Sequence, residues 1–254
     1  TAIQSIFSLF KLFTESVLPQ VLTMKVSNGW DSETRKRMII TVAGFKGGVA
    51  KTTTAVHLGA FLNEKAKTLL IDGDPNRSAT NWAKRKGLPF NVIDERQAAM
   101  QARNYQHVII DTQARPEKED LEALAQGCDL LILPTTPDAL ALDALMLTIK
   151  TLKEIGTDRF KILLTIVPPK PSREGEEART ALVEEGLPVF KNFIRRYAAY
   201  PKAAFAGVPV SEISDSNARQ AWNDYCAVGK EILTSDKTKQ SSRDCFRHQR
   251  LSRC

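Results

Sequence analysis

Short runs of Val, Ile and Leu alternate along the chain with longer segments whose apolar residues recur at helical spacing. The apolar runs predict strands at residues 39–43, 68–71, 107–110, 130–133 and 162–167, and a shorter strand near 90–93. Helical patterns lie between them, near 52–64, 79–86, 95–103, 117–125 and 140–154. Because strands this apolar need cover on both faces, the pattern predicts a doubly wound α/β fold, a mostly parallel sheet with helices on both faces. Ligands of such sheets bind at the carboxyl ends of the strands, so the residues after each strand are the ones to inspect.

The two ends of the chain differ from this alternating core. Residues 1–37 precede Met38 and carry a short apolar stretch, and we interpret them as a leader or upstream segment outside the fold, with an amphipathic helix as the alternative. Residues 38–234 are long enough for one well-buried domain. The last segment, 235–254, is polar and basic without periodicity, which predicts a disordered tail.

Most of the positive charge lies at these ends. The formal net charge is +7, of which residues 1–37 contribute +2 and residues 235–254 contribute +4, so the core carries +1. Any DNA binding by the core therefore requires a local basic cluster. No apolar run approaches the roughly 20 residues of a membrane span. The four cysteines form no CxxC pair, which is typical of thiols in a reducing cytoplasm.

A glycine-rich turn leads from the first predicted strand into the first predicted helix. It reads Gly44-Phe45-Lys46-Gly47-Gly48-Val49-Ala50-Lys51-Thr52-Thr53-Thr54. Backbone N–H groups at such a helix start point at an anion, which indicates phosphate binding. Lys51 would reach the terminal phosphates, and Thr52 would offer its hydroxyl to Mg²⁺. The strict P-loop pattern G-x-x-x-x-G-K-[ST] fails at Phe45 and Ala50, which occupy its two glycine positions.

Acidic residues follow two other predicted strands. Asp72 and Asp74 come directly after the second strand and leave one face of the extended backbone, and Asp111 ends the strand at 107–110. Carboxylates beside a triphosphate can hold Mg²⁺ through water and orient an attacking water. An Asp-rich turn that only caps the next helix is the alternative for the first pair.

These segments resemble three motifs of the ParA/MinD ATPase family. Residues 46–52 match its deviant Walker A motif, KGGxxKT, although Ala50 stands where the family usually has Gly. The segment 72–75 resembles its DxDP motif, and the apolar strand that ends in Asp111 resembles its Walker B strand. The resemblance spans residues 38–233.

The resemblance implies ATP and Mg²⁺ as cofactors and gives each residue a role. Lys46 would reach across a dimer to the partner's nucleotide, Asp74 would position the hydrolytic water, and Lys51 would serve the phosphates. Mg²⁺ would be held by Thr52, Asp72 and Asp111. The implied nucleotide-binding residues are Lys46, Gly47, Gly48, Val49, Ala50, Lys51, Thr52 and Thr53 and, near the adenine, Pro168 and Pro209.

The implied function is that of a ParA-type ATPase, which dimerises with ATP, binds DNA nonspecifically and positions a cargo. The cargo would be a plasmid, a chromosome region or a large protein body such as a carboxysome, and a ParB-like or adaptor protein would stimulate hydrolysis. Such a protein is cytoplasmic and associates with the nucleoid when ATP is bound. The candidates for DNA contact are Lys191, Arg195, Arg196 and Lys202, which a solvated helix face explains equally well.

Other functions of related proteins stay open. A MinD-like membrane-positioning ATPase needs a C-terminal amphipathic helix, but the tail offers only Phe246 and Leu251 as large apolar residues. A metabolic ligase of the cobyrinic-acid or dethiobiotin synthase type would replace the dimer face with a substrate pocket, and Lys46 argues against it. A nitrogenase-type iron protein needs bridging cysteines near the nucleotide motifs. A scaffold without activity is favoured by Phe45 and Ala50 but not by the acidic residues.

Overall fold

Six parallel strands form a single sheet at the centre of the protein. The structure is a computed structural model that describes the backbone of residues 37–85, 87–114 and 116–251, and side chains as far as residue 234. The strand order is β3-β2-β4-β1-β5-β6, and every neighbouring pair is parallel. The strands are β1 (Met38–Gly44), β2 (Thr68–Gly73), β3 (Asn91–Asp94), β4 (His107–Ala114), β5 (Leu130–Thr135) and β6 (Phe160–Leu164).

Helices connect the strands and cover both faces of the sheet, which confirms the predicted fold class. They are α1 (Lys51–Asn63), α2 (Ser78–Ala83), α3 (Glu95–Gln101), α4 (Lys118–Gln126), α5 (Ala139–Ile155), α6 (Glu174–Glu184), α7 (Ala199–Ala206) and α8 (Ala218–Leu251). Two 3₁₀ turns lie at Ala102–Asn104 and Val210–Glu212. Within the described residues, no helix combines the length and apolar character that crossing a bilayer requires.

The core consists of two apolar layers, one on each face of the sheet. Helices α1, α2, α7 and α8 pack on one face, where they meet strand residues such as Ile40 and Ile109. Helices α3, α4, α5 and α6 pack on the other, against residues such as Ile39 and Ile110. Neighbouring strand residues therefore point to opposite layers, and all seven residues of β1 are buried. This arrangement leaves the loops at the carboxyl ends of the strands as the accessible edge of the sheet.

The sixth strand ends earlier than the sequence predicts. Residues 162–167 were expected to form it, but β6 ends at Leu164 because Ile166 has a left-handed φ of 53° that cannot continue a strand. Thr165 instead turns its hydroxyl to the carbonyls of Val49 and Thr135, each at 3.1 Å. The end of β6 is thereby tied to the glycine-rich turn after β1.

The terminal segments only partly coincide with the predictions made for them. The leader proposed for 1–37 lies outside the described residues except Arg37, whose guanidinium donates to the Ala102 carbonyl at 2.7 Å. Helix α8 continues to Leu251, where a disordered tail was predicted for 235–254. The segment 235–251 contains neither Gly nor Pro, so nothing in it stops a helix whose first turns are packed through Tyr225 and Val228.

Candidate functional site

The glycine-rich turn forms an open loop between β1 and α1. Gly48 and Ala50 both adopt left-handed backbone, with φ of 77° and 61°. A Cβ on Gly47 or Gly48 would meet no heavy atom within 4 Å, so the loop faces free space. Helix α1 begins directly afterwards at Lys51, and its first N–H groups point into that space. The loop thus has the shape and polarity of an anion site.

Lys51 lies inside this loop and not on its surface. Its side chain is buried, and its ammonium donates to the Lys46 carbonyl at 3.1 Å. Burial lowers the pKa of Lys51, while the nearby carboxylates of Asp111 and Asp74 act in the opposite direction. The structure therefore brings together the three side chains that the sequence assigned to phosphate, water and metal.

Asp111 carries a buried carboxylate that no well-formed hydrogen bond satisfies. It lies in β4, in register with Val42 of β1 and Asp72 of β2, and it is 0% exposed. Neither carboxylate oxygen has a hydrogen-bond partner among the described residues. Burial raises the pKa of Asp111 to about 7, with Asp72 and Asp74 adding to the shift and the Thr52 hydroxyl and Lys51 opposing it. An orphaned carboxylate in this position fits a divalent cation, whose charge would satisfy both oxygens.

Asp72 is engaged in holding the turn after β2. One carboxylate oxygen accepts from both the backbone N–H and the hydroxyl of Thr80, each at 2.7 Å. The other accepts from the Asp74 N–H at 3.2 Å. Asp72 thus ties the start of α2 to the turn that carries Asp74. Its contact with Mg²⁺ stays a prediction, since these hydrogen bonds occupy both of its oxygens.

Asp74 is half-buried on a turn that hydrogen bonds of Arg77 hold in place. Its carboxylate accepts from the Asn76 N–H at 2.9 Å. Arg77 donates to the Asp72 carbonyl at 2.7 Å, and its guanidinium also forms two hydrogen bonds with Glu95, at 2.8 and 3.0 Å. Sequence reasoning missed Arg77 and Glu95, because nothing local reveals a bidentate pair between residues 18 positions apart.

Lys46 pairs with an acid on its own chain. Its ammonium lies 2.9 Å from a carboxylate oxygen of Asp138, which also accepts from the Ala141 N–H at 3.0 Å and so caps α5. The Thr136 hydroxyl also donates to Asp138, and this bond together with Lys46 lowers the pKa of Asp138 to about 2. Asp138 was missed although it follows a strand end, because an acid before a helix usually reads as a plain cap.

The two predicted adenine contacts lie in different surroundings. Pro209 directly precedes the turn Val210–Glu212, and the Val210 N–H donates to His57 of α1 at 3.0 Å. Pro168 follows Val167 and lines a cavity of about 480 Å³ together with Lys170, Lys191 and Arg195. The structure therefore places Pro168 beside candidates for DNA contact, and the adenine role of both prolines stays a prediction.

Two of the four basic candidates for DNA contact are held in ion pairs. The Arg195 guanidinium binds Asp224 through two hydrogen bonds of 3.0 and 2.5 Å. Lys202 lies 2.6 Å from Asp215. Lys191 and Arg196 are exposed. A charge already matched by a carboxylate attracts phosphate less strongly, so the exposed pair is the better candidate.

The loop 44–50 leads from β1 straight into α1, and the buried Asp111 of the neighbouring strand β4 lies within electrostatic reach of Lys51, the first residue of that helix. This is the arrangement of a P-loop nucleotide-binding protein. Residues 40–210 match the family described as the CobQ/CobB/MinD/ParA nucleotide binding domain, and the chain belongs to this family. The family confirms the resemblance to ParA and MinD proteins.

The relatives of this chain include a carboxysome-distribution protein and a protein ParA. The maintenance of carboxysome distribution protein A of Gloeobacter kilaueensis is 38% identical over 202 residues, which cover 76% of this chain and 93% of the relative. The protein ParA of Rhizobium radiobacter is 30% identical over 178 residues, covering 64% of this chain and 80% of that protein. The chain is thus homologous to carboxysome-positioning and partition proteins.

The fold is shared with solved structures. A complex of Cyanothece McdA with ATP matches with a TM-score of 0.60 and 19% identity, covering 76% of this chain and 96% of that one. At this identity the match supports the fold and no residue role.

Replacing Asp111 with Asn tests the orphaned carboxylate. Because the folded pKa is raised from 3.8 to about 7, the folded protein holds a proton that the unfolded chain releases, so stability falls as the pH rises from about 4 to about 7. We expect Asp111→Asn to remove this fall and to stabilise the metal-free protein at pH 8 by up to about 4 kcal/mol. Urea unfolding in EDTA at pH 5 and pH 8 measures it. Asp143→Asn on the exposed face of α5 is the control, and a parallel pH dependence in parent and Asp111→Asn would contradict the assignment.

Ala50→Gly tests the strain in the loop. An L-residue in left-handed backbone costs about 1 kcal/mol, which glycine avoids. We expect the substitution to raise the free energy of unfolding by about that amount. The matched control is Ala181→Gly at an exposed position of α6, which should lower it by about 1 kcal/mol. A loss of stability at both positions would show that Ala50 is unstrained.

Proposed function

We propose that this protein is an ATPase that binds ATP with Mg²⁺ in the loop 46–53, dimerises around the nucleotide and hydrolyses it. The observation that carries the proposal is the buried carboxylate of Asp111, which forms no hydrogen bond among the described residues and lies within electrostatic reach of the buried ammonium of Lys51. Such an arrangement is costly in an empty protein, and a triphosphate with its cation would satisfy both charges. Asp111 lies in the carboxyl-terminal half of the central strand β4, and doubly wound sheets bind their ligands at that edge.

Each residue of the loop region has a role in this proposal. The N–H groups of 47–53 and the Lys51 ammonium hold the phosphates, while Thr52 and Asp111 hold the cation, with Asp72 as a further predicted contact. The cation offsets the negative charge of the phosphates. Asp74, on the turn that Arg77 holds in place, orients the attacking water. Lys51 stabilises the charge that develops on the transferred phosphoryl group.

Lys46 is proposed to exchange partners when two copies meet. The ion pair with Asp138 is partly exposed, with 34% and 52% of the two side chains accessible, so breaking it costs at most about 1 kcal/mol. A triphosphate carries more negative charge than one carboxylate and attracts the lysine more strongly. Lys46 can therefore leave Asp138 and reach the nucleotide of the second copy.

The relatives favour cargo positioning as the purpose of this cycle. The relative from Gloeobacter kilaueensis is named for carboxysome distribution, and the Cyanothece structure is an ATP complex of a protein of the same type. We infer that this chain positions a large protein body, with an adaptor protein that stimulates hydrolysis and with nonspecific DNA as its track. This function places the protein in the cytoplasm, on the nucleoid when ATP is bound.

DNA contact is proposed at the cavity beside β6. Lys170 and Lys191 line this cavity, as does Arg195. The next residue, Arg196, is exposed. Arg195 and Lys202, which are matched by Asp224 and Asp215, contribute less. Because the core carries little net charge, such binding is weak in one copy and strengthened when dimerisation doubles the basic cluster.

Asp74→Ala tests the catalytic cycle. We expect the variant to bind ATP with Mg²⁺ and to form a dimer that does not turn over, because the water is no longer oriented. Light scattering with ATP or ADP measures the dimer, and phosphate release measures turnover. Asp74→Asn, which keeps an acceptor for the Asn76 N–H, controls for loss of the turn.

Outcomes of this experiment separate the candidate functions. Normal turnover in Asp74→Ala would remove Asp74 from catalysis. Adding Lys46→Gln should abolish the ATP-dependent dimer while ADP still binds. A monomer under every condition would favour a metabolic ligase or a scaffold without activity.

Removing the two exposed charges tests the DNA surface. Lys191→Ala combined with Arg196→Ala should weaken binding of the ATP dimer to duplex DNA at all sequences and lower the slope of log K against log salt by about 2 per copy. Lys150→Ala with Lys153→Ala on α5 removes the same charge elsewhere and should change little. Equal losses in both double variants would mean that only net charge matters.

A further inference from the structure

Three segments of the candidate site meet behind it at one buried histidine. His57 lies in α1, one turn beyond the phosphate-binding start of the helix, and it is fully buried. Trp82 lies in α2, which follows the turn that carries Asp74. The third segment, 207–210, contains Pro209, the predicted contact of the base. None of the roles assigned so far uses His57.

Both ring nitrogens of His57 have a partner, and the partners define its protonation. Nδ1 lies 2.7 Å from the Thr53 carbonyl, which can only accept, so Nδ1 carries the proton. Nε2 is then free to accept, and it receives the Val210 N–H at 3.0 Å. Burial lowers the pKa of His57 to about 4, so the ring is neutral at physiological pH and keeps this pattern.

Aromatic side chains fix the ring in this orientation. Tyr225 of α8 stacks on it at 4.8 Å between ring centroids, and its hydroxyl also bonds to the Thr54 hydroxyl at 3.2 Å. Trp82 and Tyr200 meet the histidine edge-on at 5.7 and 5.4 Å. No neighbour in this cage carries a formal charge, which agrees with a neutral imidazole.

The segment 207–210 is held on two further points. The Trp82 indole N–H donates to the Val208 carbonyl at 3.2 Å. Gly87 lies so close that a Cβ there would approach the Val208 side chain to 2.4 Å. The segment 207–210 therefore packs against the end of α2. Within the described residues, the hydrogen bond to His57 is the only one that joins this segment to α1.

We propose that His57 is a positioning residue for the nucleotide base, because it sets the segment 207–210 at a fixed place over the helix that binds the phosphates. The inference rests on the proposed nucleotide site and on the predicted place of Pro209 beside the adenine. Without the imidazole acceptor, the buried Val210 N–H would be orphaned, and the segment would relax to satisfy it. Binding of the base would then have to restore the original conformation, which lowers affinity for ligands that carry a base.

Two substitutions separate the hydrogen bond from the packing. His57→Phe keeps an aromatic ring for the stack on Tyr225 but has no acceptor. His57→Gln loses the ring but can donate to the Thr53 carbonyl and accept from the Val210 N–H. Val210→Pro removes the donor and leaves His57 intact, and proline is suited to the first position of the turn that begins there. This third variant keeps the test valid if His57→Phe does not fold.

The measurement compares ADP with inorganic pyrophosphate, each titrated with Mg²⁺ by calorimetry into the otherwise unchanged full chain. We expect His57→Phe and Val210→Pro to weaken ADP binding about tenfold and to leave pyrophosphate binding unchanged, while His57→Gln stays within about threefold of the parent for both. Parental ADP affinity in His57→Phe, or in Val210→Pro where His57→Phe does not fold, would overturn the proposal.

Other outcomes also decide the question. Equal losses for ADP and pyrophosphate would show a general structural role, as would a larger defect in His57→Gln than in His57→Phe. If the parent binds pyrophosphate but not ADP, the place of the base is wrong and the inference falls with it. If the parent binds neither ligand, the proposed function itself fails.

Discussion

The carboxylate of Asp111 is the charge on which the rest of the site depends. It ends the apolar run of a central strand, in register with Asp72 and within the electrostatic reach of Lys51 and Asp74. A buried carboxylate without a hydrogen bond destabilises the protein that carries it, and a cation bound there, as proposed, would remove this cost. In the proposed function the stability of the fold and the occupancy of the site are therefore linked, and the protein with bound nucleotide and cation would be the more stable form.

Sequence predicts this part of the structure well because the information is local. Val, Ile and Leu runs define strands, parallel strands align their carboxyl ends, and the residues that follow are brought together by geometry alone. Asp111 could be placed at this edge for this reason, while Lys51 and Thr52 were indicated by the glycine-rich pattern before them. The end of β6 could not, because the left-handed backbone of Ile166 is imposed by its surroundings and contradicts the preference of a β-branched residue.

The contacts that orient the site are the ones that sequence does not reveal. Arg77 forms an ion pair with Glu95, and Lys46 forms one with Asp138. His57 accepts a hydrogen bond from the N–H of Val210, 153 positions away. The partners in each pair lie far apart along the chain, so neither segment by itself predicts the contact. The sequence also does not show which basic residues are paired. Arg195 and Lys202 looked available for DNA, but in the fold they form ion pairs with Asp224 and Asp215. Local pattern thus predicts which groups are present, and packing decides which of them are available.

The ion pair between Lys46 and Asp138 has a consequence for how two copies approach each other. In the proposed dimer the Lys46 residues of the two copies lie on facing surfaces. Ammonium groups without a carboxylate partner would repel each other there and slow the association. With each lysine matched by its own Asp138, that local repulsion is largely cancelled at the moment of collision. In this dimer the two copies would first dock, and Lys46 would move from Asp138 to the nucleotide in a second step. The association rate would then depend on docking, whereas the lifetime of the dimer would depend on how strongly Lys46 binds the nucleotide.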